Sequence, residues 1–441
     1  MVTSLRMSSG STMVKSRSGL PVATYFSAVK LRWLLDTQDD VRAAHADGRL
    51  LAGEAPVQYV LLTTYSGTVD SWLIWNLTGG VESGHHLTDV TNASRTGLLN
   101  IHTLSWDSQL ASFYGVPLSI LPRVMASGDM FGRLDMTSLV GVNITGCMGD
   151  QQAALVGHSC TSPGMSKVTM GTGCFLLTNV GVRPIMSSTG LLSTVAFKMG
   201  DGPAFFALEG SVGCAGAALD WLEVGLGMSR EEVRGYVENE EGECGGVVVV
   251  PAYGGLMCPR WRPDSAGVML GLSLYTRPRH VVRATMEGVG HMLREVWDCL
   301  NTDLYRSGLN IPDQLLVSGG LASNKKLCEV VATMMDIKLV RPTMLETTAL
   351  GVAMVSGHTA GVWTLPGLSG PVDTFLPSPT TTRQLSIERW DQAVQASLVW
   401  GEQDQSSSDN RNIGLESSLP GTIWLFSAAC MVLLSMAADQ G

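Results

Sequence analysis

The stretch SKVTMGTGCFLLTN (166–179) decides the fold class. Lys167–Met170 and Cys174–Asn179 are apolar runs with strand character, joined by Gly171-Thr172-Gly173, the signature of a glycine-rich hairpin. Working toward the C-terminus, Phe205–Leu208 predicts a strand and Val212–Leu222 a helix rich in Gly and Ala. Gly246–Val250 predicts a fully buried strand and His280–Leu300 a long helix. Gln314–Val317 predicts a strand ending at Ser318-Gly319-Gly320, with a helix over Asn324–Met335. A strand over Ile337–Val340 and a small-residue helix over Thr347–Ser356 follow.

Working toward the N-terminus, GDQQAALVG (149–157) opens a helix after a strand-like run at Val142–Cys147. Helices are expected at Trp106–Tyr114, at Thr68–Leu77, and around Phe26, Val29, Trp33 and Leu34. Alternating strands and helices give an α/β class. Glycines gather where strands hand over to helices, and ligands in open α/β sheets bind at the carboxyl ends of strands, so a small-molecule or nucleotide site is expected there.

The chain has 441 residues, enough for two to three domains. Charged residues make up 15% and hydrophobic ones 45%, which excludes a disordered chain. The net charge of −10 with no basic run argues against nucleic acid as a partner. The nine cysteines are scattered, with no Cys-x-x-Cys, and fit reduced thiols in a cytosolic protein.

The ends differ in texture from the middle. Residues 1–18 are Ser-rich with no apolar signal region, and disorder is expected there. Residues 401–416 have linker composition. Residues 417–438 are free of charge, and the apolar core TIWLFSAACMVLLSMAA (422–438) is a candidate membrane anchor. As a helix it would span roughly 26 Å, close to the ~30 Å hydrocarbon thickness.

No P-loop, no Gly-x-Gly-x-x-Gly after a strand and no Gly-x-Ser-x-Gly elbow occurs. Asp150, at a strand end opening a helix, can serve as a general base at the positive pole of that helix, or simply as its N-cap. Gly171-Thr172-Gly173 can present N–H groups and a hydroxyl to phosphate, or form a plain turn. Gly319-Gly320 can admit a nucleotide face, or make a tight strand-to-helix turn.

Taken in order along the chain, YFSAVKLRWLLD (25–36), GTVDSWLIWNLTGG (67–80), TDVTNASRTGLLNIHTLSWD (88–107), GDQQAALVG (149–157), GTGCFLLTN (171–179), ALEGSV (207–212), SGGLASNK (318–325) and ETTALG (346–351) resemble the glycerol kinases of the FGGY carbohydrate-kinase family. The resemblance covers about residues 19–400, and SSLPGTIWLFSAACMVLL resembles the hydrophobic tail of animal members.

The resemblance implies two actin-like, ribonuclease-H-like α/β ATPase domains around a cleft. Residues 19–160 are expected on the glycerol side and 161–400 on the nucleotide side. Residues 1–18 do not resemble the family's N-terminal section, which carries a phosphate loop and an Arg-Glu pair for glycerol, so an N-terminally truncated first domain is expected.

The implied activity is ATP-dependent phosphorylation of glycerol, with Mg2+. The alternatives are a non-catalytic membrane-tethered relative that binds nucleotide or a partner, and a kinase of another small polyol. Asp150 matches the general base and metal-positioning residue; Tyr25, Asp150, Gln151 and Phe175 match glycerol contacts. Thr172 matches a phosphate contact, and Gly216, Gly320 and Asn324 match nucleotide-binding positions. The family's Asp-Gly-Gly is Ser318-Gly319-Gly320 here, and Arg260 stands where an aromatic is usual. The implied location is the cytoplasmic face of the mitochondrial outer membrane, or else the cytosol, with self-association possible in the family.

Overall fold

The computed structural model describes residues 5, 10–50, 68–135, 137–239, 242–364, 371–379 and 383–407. The N-terminal half is mainly helical: α1 (Gly10–Ser18), α2 (Ser27–Thr37), α3 (Asp39–Ala46), α4 (Val69–Leu77) and α5 (Ser108–Tyr114). Val14, Val22, Ala28, Val29, Leu31, Leu98, Leu110 and Tyr114 form a core of their own. A short parallel pair, β1 (Leu87–Asp89) with β2 (Arg123–Met125), lies beside it. The disorder expected over residues 1–18 is corrected for 10–18. They form α1, with Val14 and Ser18 buried, because an apolar residue on one face of a polar segment docks that face on the core.

α6 (Asp150–Gly157) leads into the second half. Its sheet has seven strands: β3 (Ser166–Met170), β4 (Cys174–Gly181), β5 (Leu192–Lys198), β6 (Ala204–Val212), β9 (Gln314–Ser318), β10 (Lys338–Pro342) and β11 (Val372–Phe375). They lie in the order β11-β10-β9-β3-β4-β6-β5. β3 and β4 form the expected antiparallel hairpin, and β9 and β10 run parallel to β3. The carboxyl ends of β3 and β9 are therefore adjacent.

α7 (Gly216–Leu226), α8 (Arg230–Asn239), the 29-residue α9 (Pro278–Arg306), α10 (Lys325–Met335) and α11 (Thr347–Thr359) pack around this sheet and its core. A separate antiparallel pair, β7 (Val248–Val250) with β8 (Val268–Leu270), takes up the apolar run at 246–250. Two expectations shift. Val212 ends β6 rather than starting a helix, because its pairing with Cys174 extends the sheet. The strand expected over Val142–Cys147 shrinks to Asn143–Ile144.

The linker expected from residue 401 is corrected as well. α12 (Arg383–Ser407) runs through 401–407, and Gly401 is buried against the backbone of Asp264, leaving no room for a side chain. Among the described residues no helix is long and apolar enough to cross a membrane. The tail at 417–438 lies outside the described residues.

Candidate active site

The strand registers place a polar stripe on one face of the sheet. Lys167 on β3 faces Leu177 on β4, which faces Glu209 on β6. Two residues along, Thr169 faces Phe175, which faces Ser211. Cross-strand partners share a face and residues two apart share it too, so Lys167, Thr169, Phe175, Glu209 and Ser211 line one surface.

α6 brings Asp150 and Gln151 to this surface. The N-cap of α6 is Gly149, and Asp150 is the first helical residue. No side-chain cap bond forms there, so the plain N-cap alternative for Asp150 is set aside. The Asp150 side chain is exposed and its Oδ2 accepts from Gln151 Nε2 at 3.1 Å. Gln151 Oε1 accepts in turn from Lys167 Nζ at 2.6 Å, and Lys167 also donates to Thr169 Oγ1 at 2.9 Å. Burial pulls the Lys167 ammonium down to about 8, against the pull of the Asp150 and Glu209 carboxylates.

A second polar link joins the two halves of the chain. Arg95, in the NASRT segment, pairs with Glu209 Oε1 at 2.8 Å, and Glu209 is buried. Burial, the largest single effect, would lower the Arg95 pKa; Glu209, Tyr25 and Asp150 together outweigh it and raise it. The Arg95 guanidinium lies 6.0 Å from the Tyr25 ring centre and 5.9 Å from that of Phe26. Tyr25 thus stands over Arg95, within electrostatic reach of both Asp150 and Glu209. Ser94 Oγ to Thr194 Oγ1 at 2.9 Å and Gln152 Nε2 to Thr194 Oγ1 at 3.2 Å stitch the same seam.

The phosphate-type loops lie at the other end of β3. The hairpin 171–173 is tied to the start of α7: Ala215 N and Ala217 N donate to Thr172 O at 2.8 and 3.1 Å, and Gly216 N donates to Gly171 O at 3.0 Å. The Thr172 side chain is exposed. Gly319 has φ +95° and presses against the backbone of Met170, so the loop after β9 abuts the end of β3. Space is open at the Cα of Gly320. Thr172, Gly216 and Gly320 are thereby brought to one end of the sheet. Asn324 closes the turn after Gly320, and its Oδ1 caps α10 by accepting Leu327 N at 2.8 Å, so that oxygen is committed to the helix.

The structure therefore groups Tyr25, Asp150, Gln151 and Phe175 together with Lys167, Arg95 and Glu209, three residues that spacing did not single out. Each lay inside a quoted or strand-like segment; a charged side chain in the middle of a strand or a small-residue turn was the signal available. The two departures from the family pattern have local partners. Arg260 pairs with Glu295 at 2.9 and 3.1 Å, and Ser318 Oγ accepts from Thr347 Oγ1 at 3.0 Å.

A separate acidic cluster joins Asp70, Asp89 and Cys147, whose ligand-type atoms lie within 4.8 Å of one another. Asp89 caps the short helix Val90–Ala93, accepting Thr91 N at 3.0 Å and Asn92 N at 2.9 Å, and it takes the Ser127 hydroxyl at 2.7 Å. Burial, followed by the charge of Asp70, raises Asp89 to about 6. Burial, followed by the charges of Asp70 and Asp89, raises the Cys147 thiol well above its ordinary pKa. Asp150, with a carboxylate open to solvent, suits a Mg2+ ion shared with phosphate oxygens.

The family model of the N-terminal domain of FGGY carbohydrate kinases matches residues 1–157, and that of the C-terminal domain matches 166–360. Residues 1–18, expected to lie outside the likeness, fall within it, and a shortened first domain finds no support there. The chain is 40% identical to the glycerol kinase of Rhizorhabdus wittichii over 417 residues, 93% of this chain and 78% of that protein. It is 39% identical to that of Acidiphilium cryptum over 401 residues, 89% and 76%. These relatives are bacterial and lend the animal-type likeness no support.

Among solved structures, the Plasmodium falciparum glycerol kinase with ADP superposes with a TM-score of 0.74 at 31% identity, covering 90% of this chain and 76% of that one. A ligand-bound xylulose kinase from Lactobacillus acidophilus gives 0.69 at 16%, a likeness of fold, over 88% and 75%. The two-domain actin-like α/β architecture, the ordered motifs and both domain models agree: the chain belongs to the FGGY family of carbohydrate kinases.

Proposed function

We propose that the chain transfers the γ-phosphoryl group of ATP to glycerol, giving sn-glycerol 3-phosphate and ADP. The observation that carries this reading is the Asp150 carboxylate. It is exposed, free of any capping duty, and set on the polar surface made by Gln151, Lys167 and Tyr25. The roughly 40% identity to glycerol kinases across most of the chain supports glycerol as the acceptor.

In this mechanism glycerol lies between Tyr25, Gln151 and Phe175, its hydroxyls on the polar atoms and its carbon edge on the Phe175 ring. Asp150 accepts the proton of the attacking hydroxyl; that oxygen bonds to the γ-phosphorus while the bond to ADP breaks. Thr172 and the backbone at Gly216 and Gly320 receive the phosphates and the adenosine, with Asn324 at the edge of that loop. Mg2+ would be held by Asp150 and the phosphates and would neutralise the charge of the transferring group.

The length and lack of charge of segment 417–438 support a membrane tail, with the rest of the chain on the cytoplasmic side.

The test is transfer from γ-labelled ATP, with glycerol compared against other small polyols. Glycerol-dependent label in the product is expected. No transfer by a folded, ADP-binding sample would withdraw the activity.

A further inference from the structure

Lys167 sits on an interior strand of the sheet with its side chain fully buried. Its hydrogen-bond partners among the described residues, Gln151 Oε1 and Thr169 Oγ1, are both neutral. Burying an ammonium without a carboxylate on it costs stability, and an apolar residue would fill the place more cheaply.

What the ammonium does to Gln151 explains its presence. A glutamine amide has a donor end and an acceptor end and can turn either way. An ammonium has donors only, so the oxygen end of Gln151 faces Lys167. The NH2 end is thereby turned to Asp150, where Nε2 donates to Oδ2. One Nε2 hydrogen is used in that bond and the other is left for a ligand.

Nearby groups do not compete for this role. Buried His158 is pushed down to about 3 and stays neutral, and burial raises the Cys160 thiol to about 12.

We propose that Lys167 is a positioning residue for the polyol: acting through Gln151, it fixes an N–H donor beside the Asp150 carboxylate, so that the pair recognises two neighbouring hydroxyls. This inference rests on the glycerol reading above. A vicinal diol satisfies both groups, since one hydroxyl donates to Asp150 while its neighbour accepts from Gln151. A carbonyl at the first position has no proton to give and is disfavoured.

The test is the glycerol dissociation constant, measured by calorimetry for the wild type, Lys167→Met, Gln151→Ala and the double variant, with ADP affinity as control. Each single substitution is expected to weaken glycerol binding about tenfold, the loss of one good hydrogen bond. The double variant should be no weaker than the singles, and ADP binding should be unchanged.

Gln151→Glu keeps an oxygen toward Lys167 but sets a second oxygen beside Asp150, so it should weaken glycerol at least as much as Gln151→Ala. That variant carries the test if Lys167→Met does not fold. The proposal is overturned if Lys167→Met binds glycerol within twofold of the wild type, if the two losses add, or if Gln151→Glu binds normally. A wild type that binds no glycerol removes the glycerol reading and this proposal together; a wild type that binds it, with Lys167→Met unchanged, removes the proposal alone.

Discussion

Asp150 illustrates how one position in a turn of helix separates two roles. At the N-cap its carboxylate would be consumed by backbone N–H groups; one residue later it is open to a substrate. Asp150→Asn is expected to lower turnover by about 10²–10⁴-fold while ADP binding persists, because proton acceptance is lost and the shape is kept. Rate assays alongside ADP titration check this; turnover like the wild type would leave Asp150 without a chemical role. The Arg95–Glu209 pair makes a different claim at the same scale. Glu209→Ala strands a buried guanidinium and is expected to cost about 3–5 kcal/mol, whereas Arg95→Met with Glu209→Leu should cost much less. Urea unfolding of both variants decides it, and equal losses would mean that packing rather than charge is at stake.

At the scale of elements, α6 and α11 touch backbone to backbone. A Cβ on Gly351 would fall on the carbonyl oxygen of Ala153, and one on Gly157 on that of Thr347. This contact joins the helix carrying Asp150 to the second half of the chain. Gly351→Ala is expected to destabilise by about 1–3 kcal/mol despite the better helix propensity of Ala. Gly235→Ala on α8, where nothing lies within 4 Å, should instead stabilise by about 0.5–1 kcal/mol. Parallel urea melts read both; a gain at Gly351 would show that the helices are not in contact there.

The acid cluster between β1 and the Val90–Ala93 turn responds to pH. Asp89 holds its proton up to about 6 when folded, against 3.8 for an ordinary aspartate, so the folded chain binds that proton more tightly than the unfolded one. The contribution of Asp89 to stability therefore falls as pH rises from about 4 to 6, by roughly 3 kcal/mol. Asp70→Asn removes the neighbouring charge and should move the Asp89 titration below about 6 without returning it to normal, since burial is the larger cause. Carboxyl NMR titration reads it; an unmoved value would mean that the two carboxyls do not interact.

At the scale of the whole molecule, the N-terminal half keeps one small core of its own, while its Val90, Ala93, Leu99 and Ile101 join the large core of the second half and Leu20, Ala23 and Phe26 pack with Leu192, so the halves share apolar packing beside a polar and small-residue seam. Ser94, Arg95 and Gln152 face Thr194 and Glu209 there, and Gly351 crosses Ala153. In the proposed mechanism the substrate-binding groups come from both sides of that seam, so ligand binding would be linked to the pairing of the halves. The tail belongs to this scale also. Deleting residues 417–441 is expected to move the protein from the membrane to the soluble fraction with turnover retained; an unchanged membrane fraction would end the tail proposal.

Much of this protein was legible in the residues alone. The glycine-bounded hairpin at 166–179, the strand ending at Ser318-Gly319-Gly320 and the long helix beginning near 278–280 follow from local pattern, because turn chemistry and apolar periodicity act over a few residues. The ordered motifs likewise carried the family and the place of Asp150. What pattern could not give was partnership across the chain. That Lys167 reaches Gln151, that Arg95 reaches Glu209 over 114 positions, and that Asp150 is one residue inside its helix were decided by the packing of the two halves. The helix at 10–18 and the run of α12 through 401–407 were missed for the same reason: a polar segment takes on regular structure when one face, or one glycine, finds a neighbour that local sequence does not contain.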